Sequence, residues 1–356
     1  MLTAKTLETF SSTLINWYHE NKRDLPWRNT QDPYKIWLSE IILQQTRVNQ
    51  GLSYYNRFIE QYPTVNNLAK AKEDEVLKLW QGLGYYSRAR NIHKTAIYIN
   101  KVYGGNFPTS YNDIINLKGI GSYTAAAIAS FAFNQAYAVV DGNVYRVLSR
   151  VFGIETVIDS TQGKKEFQDL ATTLLNKKEP ASHNQAIMEF GALQCVPAQP
   201  DCENCVLNQV CVAYKTETVQ DLPIKSKKTK QRDRYFNYLF IQNGEQTYMH
   251  QRKENDVWKN LYEFPLIETE TEMDFDALIQ TKAYKLLMKD IDAIEINNDC
   301  FRVKHVLSHQ KIYAKFYTLK IVLDDIYIFP YVLTSFNSLW KMPVSRLTEI
   351  FLETLK

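Results

Sequence analysis

From the start of the chain to about residue 214, apolar side chains return at three- and four-residue spacing, as in Leu68, Val76, Leu79 and Trp80. That is the period of helices that bury one stripe. Breakers divide the pattern at Pro63, Gly82 with Gly84, Gly104 with Gly105 and Pro108, Gly119 with Gly121, and Gly153. The spacing therefore predicts a mainly α region over residues 1–221. Residues 222–234, LPIKSKKTKQRDR, carry six Lys or Arg and one Asp and read as a solvated basic linker. Beyond it the period changes to two in RYFNYLFIQ, QTYMHQ, FRVKHVLS and KIYAKFYTLKIV. These are predicted strands, with one helix over DFDALIQTKAYKLLM, so residues 235–356 are expected to form a separate α+β domain.

Composition changes this picture little. Hydrophobic residues make up 45% of the chain, which excludes global disorder, and the net charge of +3 does not by itself name a partner. The first residues, MLTAKTLETFSS, lack the apolar core of a signal peptide, and no apolar run reaches the ~18 residues of a membrane span. A cytoplasmic protein with no membrane partner is expected.

Cysteine changes it more. Four of the five cysteines, Cys195, Cys202, Cys205 and Cys211, fall in CVPAQPDCENCVLNQVC with spacing C-x6-C-x2-C-x5-C, and Cys300 lies apart. Structural zinc sites usually offer two C-x2–4-C pairs across a longer loop. A single C-x2-C flanked by longer gaps suits a [4Fe–4S] cube better, with zinc as the alternative.

Two carboxylates stand in opposite settings. Glu40 lies within the apolar run WLSEIILQQT, where burial favours the protonated form. Asp141 in AVVDGNVYRVLSR ends an apolar segment ahead of a helix and reads as its N-cap, where N–H groups favour the charged form. A neutral acid facing a charged carboxylate suits cleavage of a glycosidic bond. A third segment, LKGIGSYTAAAIASFAF, sets two glycines before a small-residue helix, a pattern that lets backbone N–H groups approach a phosphate.

The cysteine loop, the glycine hairpin and these two segments together resemble the helix–hairpin–helix glycosylases of the endonuclease III superfamily, and the Glu40 and Asp141 segments resemble adenine DNA glycosylases of the MutY type. VWKNLYEFP, 257–265, is similar to the W-x-x-L-W/Y-E-F-P segment of the Nudix-like C-terminal domains of that type. The Nudix hydrolase signature itself is absent. The resemblance implies a six-helix barrel over about 27–136, an iron–sulfur module from about 1–26 and 137–221, and an 8-oxoguanine recognition domain over 235–356.

The roles that follow are those the resemblance implies. Glu40 would protonate adenine at N7, and Asp141, with Asn143 beside it, would stabilise the sugar cation. Trp27, Arg28, Leu43, Tyr123 and Gln185 would form the adenine pocket. Gln45, Thr46, Leu83 and Tyr85 would probe the partner base, Arg88 would contact phosphate, and Gly119 and Gly121 would grip the backbone. One [4Fe–4S] cluster would sit on Cys195, Cys202, Cys205 and Cys211. Ser122 and Tyr123 stand where strand-cutting members carry an arginine and the imine-forming lysine, so base excision without strand cleavage is implied. Ser308 in HVLSHQK would contact 8-oxoguanine, with Leu307 where the family often has an aromatic. His305 and His309 share no helix face and are not expected to hold a metal.

The expected partner is double-stranded DNA bearing adenine opposite 8-oxoguanine or guanine, bound by a monomer. The alternatives are a bifunctional glycosylase and AP lyase, or a non-catalytic DNA-damage binding protein.

Overall fold

The computed structural model describes residues 4–226, 231–289, 295–321 and 330–355. The chain packs as two compact units, residues 1–70 with 94–227, and residues 71–93 with 228–356.

The first unit is helical. Its central helix, Pro33–Leu43, starts on a proline, and the Asp32 carboxylate accepts the Tyr34 N–H at 2.9 Å. From Ile36 to Ile42 every residue of this helix is buried, Glu40 included. It packs on Ser122–Phe133, a helix of small buried side chains that include Ala125, Ala126, Ala127 and Ala129. A second core joins Ala4–Asn21, Gly142–Phe152 and Pro180–Leu193. Val144, Val147, Leu148 and Val151 recur at the i, i+3, i+4, i+7 positions of a buried stripe, against Leu14, Trp17 and Phe190. Gly191 permits the close helix crossing, because a β-carbon there would lie 2.7 Å from Cβ of Asn143.

The second unit is α+β, built on a mixed sheet in the order β3-β2-β1-β6-β5, with β4 on β1 and β7 on β2. The strands are β1 Arg232–Asn243, β2 Gln246–Gln251, β3 Tyr262–Glu263, β4 Leu266–Thr269, β5 Glu295–Val306, β6 Gln310–Ile321 and β7 Val332–Ser335. β1 pairs with β6 in parallel along its whole length, Arg232 opposite Gln310 through Asn243 opposite Ile321. Its residues 236–241 are all buried, Asn237 included, so this strand is covered on both faces and lacks the alternation expected for it. Leu239 and Ile241 join one core, beneath the helices Phe275–Gln280 and Lys282–Leu287, while Phe240 packs on Phe264 and Phe351 on the other side.

Three expectations change in detail. The single helix expected over 274–288 is two, because the Thr281 side chain caps the second by accepting the Tyr284 N–H. Residues 71–93, read from the sequence as part of the helical region, pack with the sheet: Lys78 donates to the Met342 carbonyl, Gln81 to Glu349 and Arg90 to the Lys259 carbonyl. The basic linker is structured at its ends, since Leu222 is buried, the Ile224 carbonyl accepts the Ile158 N–H, and β1 begins at Arg232. Its middle, 227–230, lies outside the described residues.

Candidate active site

One cavity of about 510 Å³ in the first unit collects Glu40, Asp141, Asn143, Tyr123, Trp27, Arg28, Leu43, Gln185, Gln45 and Thr46. These are the expected catalytic and adenine-pocket residues, together with the two partner-base residues of this unit. They come from five places in the chain: the turn Pro26–Arg28, the end of the central helix with the turn after it, the start of Ser122–Phe133, the start of Gly142–Phe152 and the helix Pro180–Leu193.

Glu40 is 8% exposed. Burial pushes its carboxyl up to about 7; a hydrogen bond from Tyr123 pulls down, Asp141 pushes up and Arg28 pulls down. Tyr123 is itself driven well above the ordinary phenol range by burial and by the two carboxylates, so it stays a neutral donor. Asp141 is the N-cap of Gly142–Phe152: Oδ1 accepts the N–H groups of Asn143 and Val144 at 2.9 and 2.8 Å, and Oδ2 accepts Asn143 Nδ2 at 2.8 Å. The three bonds favour its charged form, as the sequence suggests, but the walls of the cavity desolvate it enough that its net displacement is upward. Both carboxyls are therefore harder to ionise than in water, and Asp141 has the larger set of donors.

Arg146 extends this network. Its Nη2 donates to Asn143 Oδ1 at 2.9 Å and to the Gly191 carbonyl at 2.6 Å, and its Nε to the Cys195 carbonyl at 2.7 Å. A chain of hydrogen bonds thus joins the cysteine loop to Asp141.

Sequence reading missed Arg23 and Glu189, which line the same cavity. Glu189 is buried and clasps two guanidiniums. Arg23 reaches it at 2.8 and 2.6 Å, and Arg28 at 2.8 and 2.6 Å. Burial would raise Glu189, but hydrogen bonds from Arg28 and Arg23 outweigh it and hold the carboxylate at about 2. A signal was present in the sequence: Glu189 follows Gln185 by one helical turn in HNQAIMEFGALQC and so shares its face.

Cys195, Cys202, Cys205 and Cys211 line a single cavity with Arg150, Phe190 and Leu207, and none of them is in a disulfide. Among the described residues no three His, Cys, Asp or Glu side chains form a group able to hold one metal ion; the sulfurs instead stand around the cavity wall. Burial, with charge on the other three cysteines, pushes the Cys205 thiol up to about 11 against a hydrogen bond from the Leu207 N–H. Bare thiolates here repel one another, and a cationic group between them removes that cost. Arg150 fastens the loop through the carbonyls of Val196 and Pro197 at 2.8 and 3.0 Å. The donor set fits a group with several metal corners.

In the hairpin, Gly119 has φ of +80°, and Gly121 caps Ser122–Phe133 with open space where a β-carbon would point. Backbone N–H groups there can be approached closely.

In the second unit, Leu83, Tyr85, Trp258, His305 and Ser308 line a cavity of about 500 Å³. The structure thus brings the 82–86 loop together with the 305–309 segment. Tyr85 is 46% exposed and has φ of +48°, and Gln45 in the first unit has φ of +57°. Left-handed backbone at non-glycine residues is strained, and such strain clusters at ligand-contacting positions. Arg88, expected at a phosphate, is buried. Its guanidinium lies over the Trp80 ring and donates to the Leu83 and Gly84 carbonyls, so here it shapes the loop.

Among the described residues no helix is long and apolar enough to cross a membrane.

Residues 38–173 match the family of HhH-GPD superfamily base excision DNA repair proteins, and residues 237–354 match the NUDIX domain. Adenine DNA glycosylase of Buchnera aphidicola subsp. Schizaphis graminum is 38% identical over 74% of this chain and 76% of its own. That of Buchnera aphidicola subsp. Baizongia pistaciae is 36% identical over 91% of this chain and 89% of its own. The Homo sapiens adenine DNA glycosylase is 42% identical over 57% of this chain and 39% of its own. Among solved structures, a thermostable thymine-DNA glycosylase superposes with a TM-score of 0.56 at 32% identity, covering 61% of this chain and all of that one. A trapped endonuclease III–DNA covalent intermediate gives 0.53 at 22% identity over 61% of this chain and 99% of that one, a likeness of fold. With the helical cavity and the Nudix-like sheet already in place, these matches over most of its length make the chain a member of the adenine DNA glycosylase family, enzymes of base excision repair that remove adenine from DNA.

Proposed function

We propose that this chain hydrolyses the N-glycosidic bond of adenine opposite 8-oxoguanine, and more slowly opposite guanine, in double-stranded DNA, without cutting the strand. The observation that carries this is the single cavity holding Glu40, Tyr123 and Asp141. An adenine swung out of the duplex enters between Trp27, Leu43 and Gln185, and the Gln185 carboxamide is suited to its edge. Glu40 gives its proton to N7. The C1′–N9 bond breaks with its electron pair leaving on the base, and Asp141, held by Asn143 and two backbone N–H groups, faces the sugar cation. Water adds at C1′, and its proton restores the acid. Tyr123 holds Glu40 and offers no amine for an imine, which supports excision alone.

The Gly119–Gly121 turn would hold a phosphate. Gln45, Thr46, Leu83 and Tyr85 would stand at the gap and the partner base, and Ser308 would contact 8-oxoguanine. Without a Nudix hydrolase signature, the sheet domain would recognise rather than hydrolyse. Cys195, Cys202, Cys205 and Cys211 would hold one [4Fe–4S] cluster, which when bound cross-links the loop that Arg146 and Arg150 tie to the helices. Iron analysis, and an absorbance near 400 nm lost in Cys202→Ser, would distinguish it from zinc.

The deciding assay is a duplex with one adenine opposite 8-oxoguanine. Strand breaks appearing only after alkali are expected. Breaks without alkali would mean a lyase, and none at all a binding protein.

A further inference from the structure

Arg28 lies in the same cavity as Glu40 and within its electrostatic reach. A guanidinium that settled on the Glu40 carboxyl would fix it as a carboxylate and remove the acid. Arg28 is instead held by its Nη atoms, its Nε being buried without a partner among the described residues: both Nη atoms are on Glu189, Nη1 also donates to the Arg23 carbonyl at 3.1 Å, and the guanidinium lies 5.7 Å from the Tyr18 ring centroid. Glu189 is itself anchored by the side chain of Arg23 and by its backbone N–H at 3.0 Å.

We infer that Glu189 is a positioning residue of the excision reaction: it holds the Arg28 guanidinium off Glu40, so that the acid keeps a proton to give. This rests on the reading of Glu40 as the acid that protonates adenine. The charged and titratable groups around Glu40 are Arg28 before the central helix, Tyr123 from Ser122–Phe133, Asp141 ahead of Gly142–Phe152, and, along the cavity wall, Arg23 and Glu189 itself. Of these only the two arginines are cations, and Glu189 holds both. Its side chain is 1% exposed, so water does not replace it.

The test is the single-turnover excision rate of the intact protein on the adenine–8-oxoguanine duplex, from pH 5.5 to 9, for wild type, Glu189→Gln and Glu189→Asp. A glutamine cannot hold two guanidiniums, so Arg28 turns to Glu40 and the falling limb of the profile moves to lower pH. With the wild-type limb near 7, the rate at pH 6 should drop about threefold and that at pH 8 roughly twentyfold. Glu189→Asp keeps the charge on a shorter arm. It should leave the limb where wild type has it, which keeps the inference testable if the glutamine variant does not fold. An equal loss at every pH, a limb moved to higher pH, no change in Glu189→Gln, or a shifted limb in Glu189→Asp overturns the inference. Failure of the wild type to release adenine would instead sink the parent reading.

Discussion

Glu40 in the first unit and Glu263 in the second are both buried glutamates, and burial pushes each up to about 7. Their partners differ. Glu263 receives Arg252 Nη1 on both oxygens at 2.8 Å, with the Tyr238 hydroxyl at 3.1 Å, while Arg252 also holds Asp256. The nearby cation of Glu40 is committed to Glu189, leaving a phenol as its donor. The first arrangement fastens a sheet; the second leaves the carboxyl with no cation on its oxygens. A raised acid constant therefore does not mark a catalytic group. Both glutamates line a cavity, so what separates them is the cation on the carboxyl.

Breaking the Glu40 side should have the largest effect. Glu40→Gln is expected to retain duplex binding and to lose roughly 10²–10⁴-fold in single-turnover excision, the usual contribution of a general acid. Full activity in that variant would end the assignment. In the wild type the acid form is required, so the rate should fall as pH rises through about 7.

The second unit should answer with stability instead. Arg252→Met leaves Glu263 buried without its cation, which costs about 3–5 kcal/mol in such settings. The loss should be greatest at high pH, where Glu263 must ionise. Urea unfolding at pH 5 and pH 8 measures both.

The same Glu40→Gln variant sharpens the contrast. Folding raises this carboxyl from 4.5 to about 7, so the folded state keeps a proton that the unfolded state releases. Stability from this group is complete below 4.5 and is lost as pH rises towards 7, by about 3 kcal/mol. Glutamine does not titrate, so the variant should be more stable than wild type at pH 8 by that order and equal to it at pH 4. Thermal unfolding with no gain at pH 8 would argue that Glu40 already has a cation.

The smallest effect is expected at the hairpin. Gly121→Ala meets open space and should cost under about 1 kcal/mol of stability. Filling the approach to the helix N-terminus should nonetheless weaken duplex binding a few-fold, read by fluorescence anisotropy at fixed salt.

Periodicity and spacing carried a good deal of this protein. The three-and-four pattern gave a helical first region, and the strand segments located β1, β2 and β6 to within two residues but only the second half of β5. The short β3, β4 and β7 escaped, since two to four residues are too few to show a period. The raised carboxyl of Glu40 was legible because its neighbours along the chain already supply an apolar wall. Asp141 was legible as a cap because the N–H groups it accepts lie two and three residues ahead. Local chemistry of this kind is written in adjacent letters.

What lay beyond the sequence depends on groups far apart in the chain. Glu189 meets Arg28 and Arg23 across 161 and 166 residues, Arg146 meets Cys195 across 49, and residues 71–93 leave their neighbours to pack on the sheet. A buried charge is decided by whichever partner the fold delivers, and the energy of that pairing falls off over a few ångströms. The sequence alone determined which side chains could serve as acid, cap and cysteine ligand. Only the tertiary structure decided which cation each carboxylate would receive, and so which of two buried glutamates was left without one on its own oxygens.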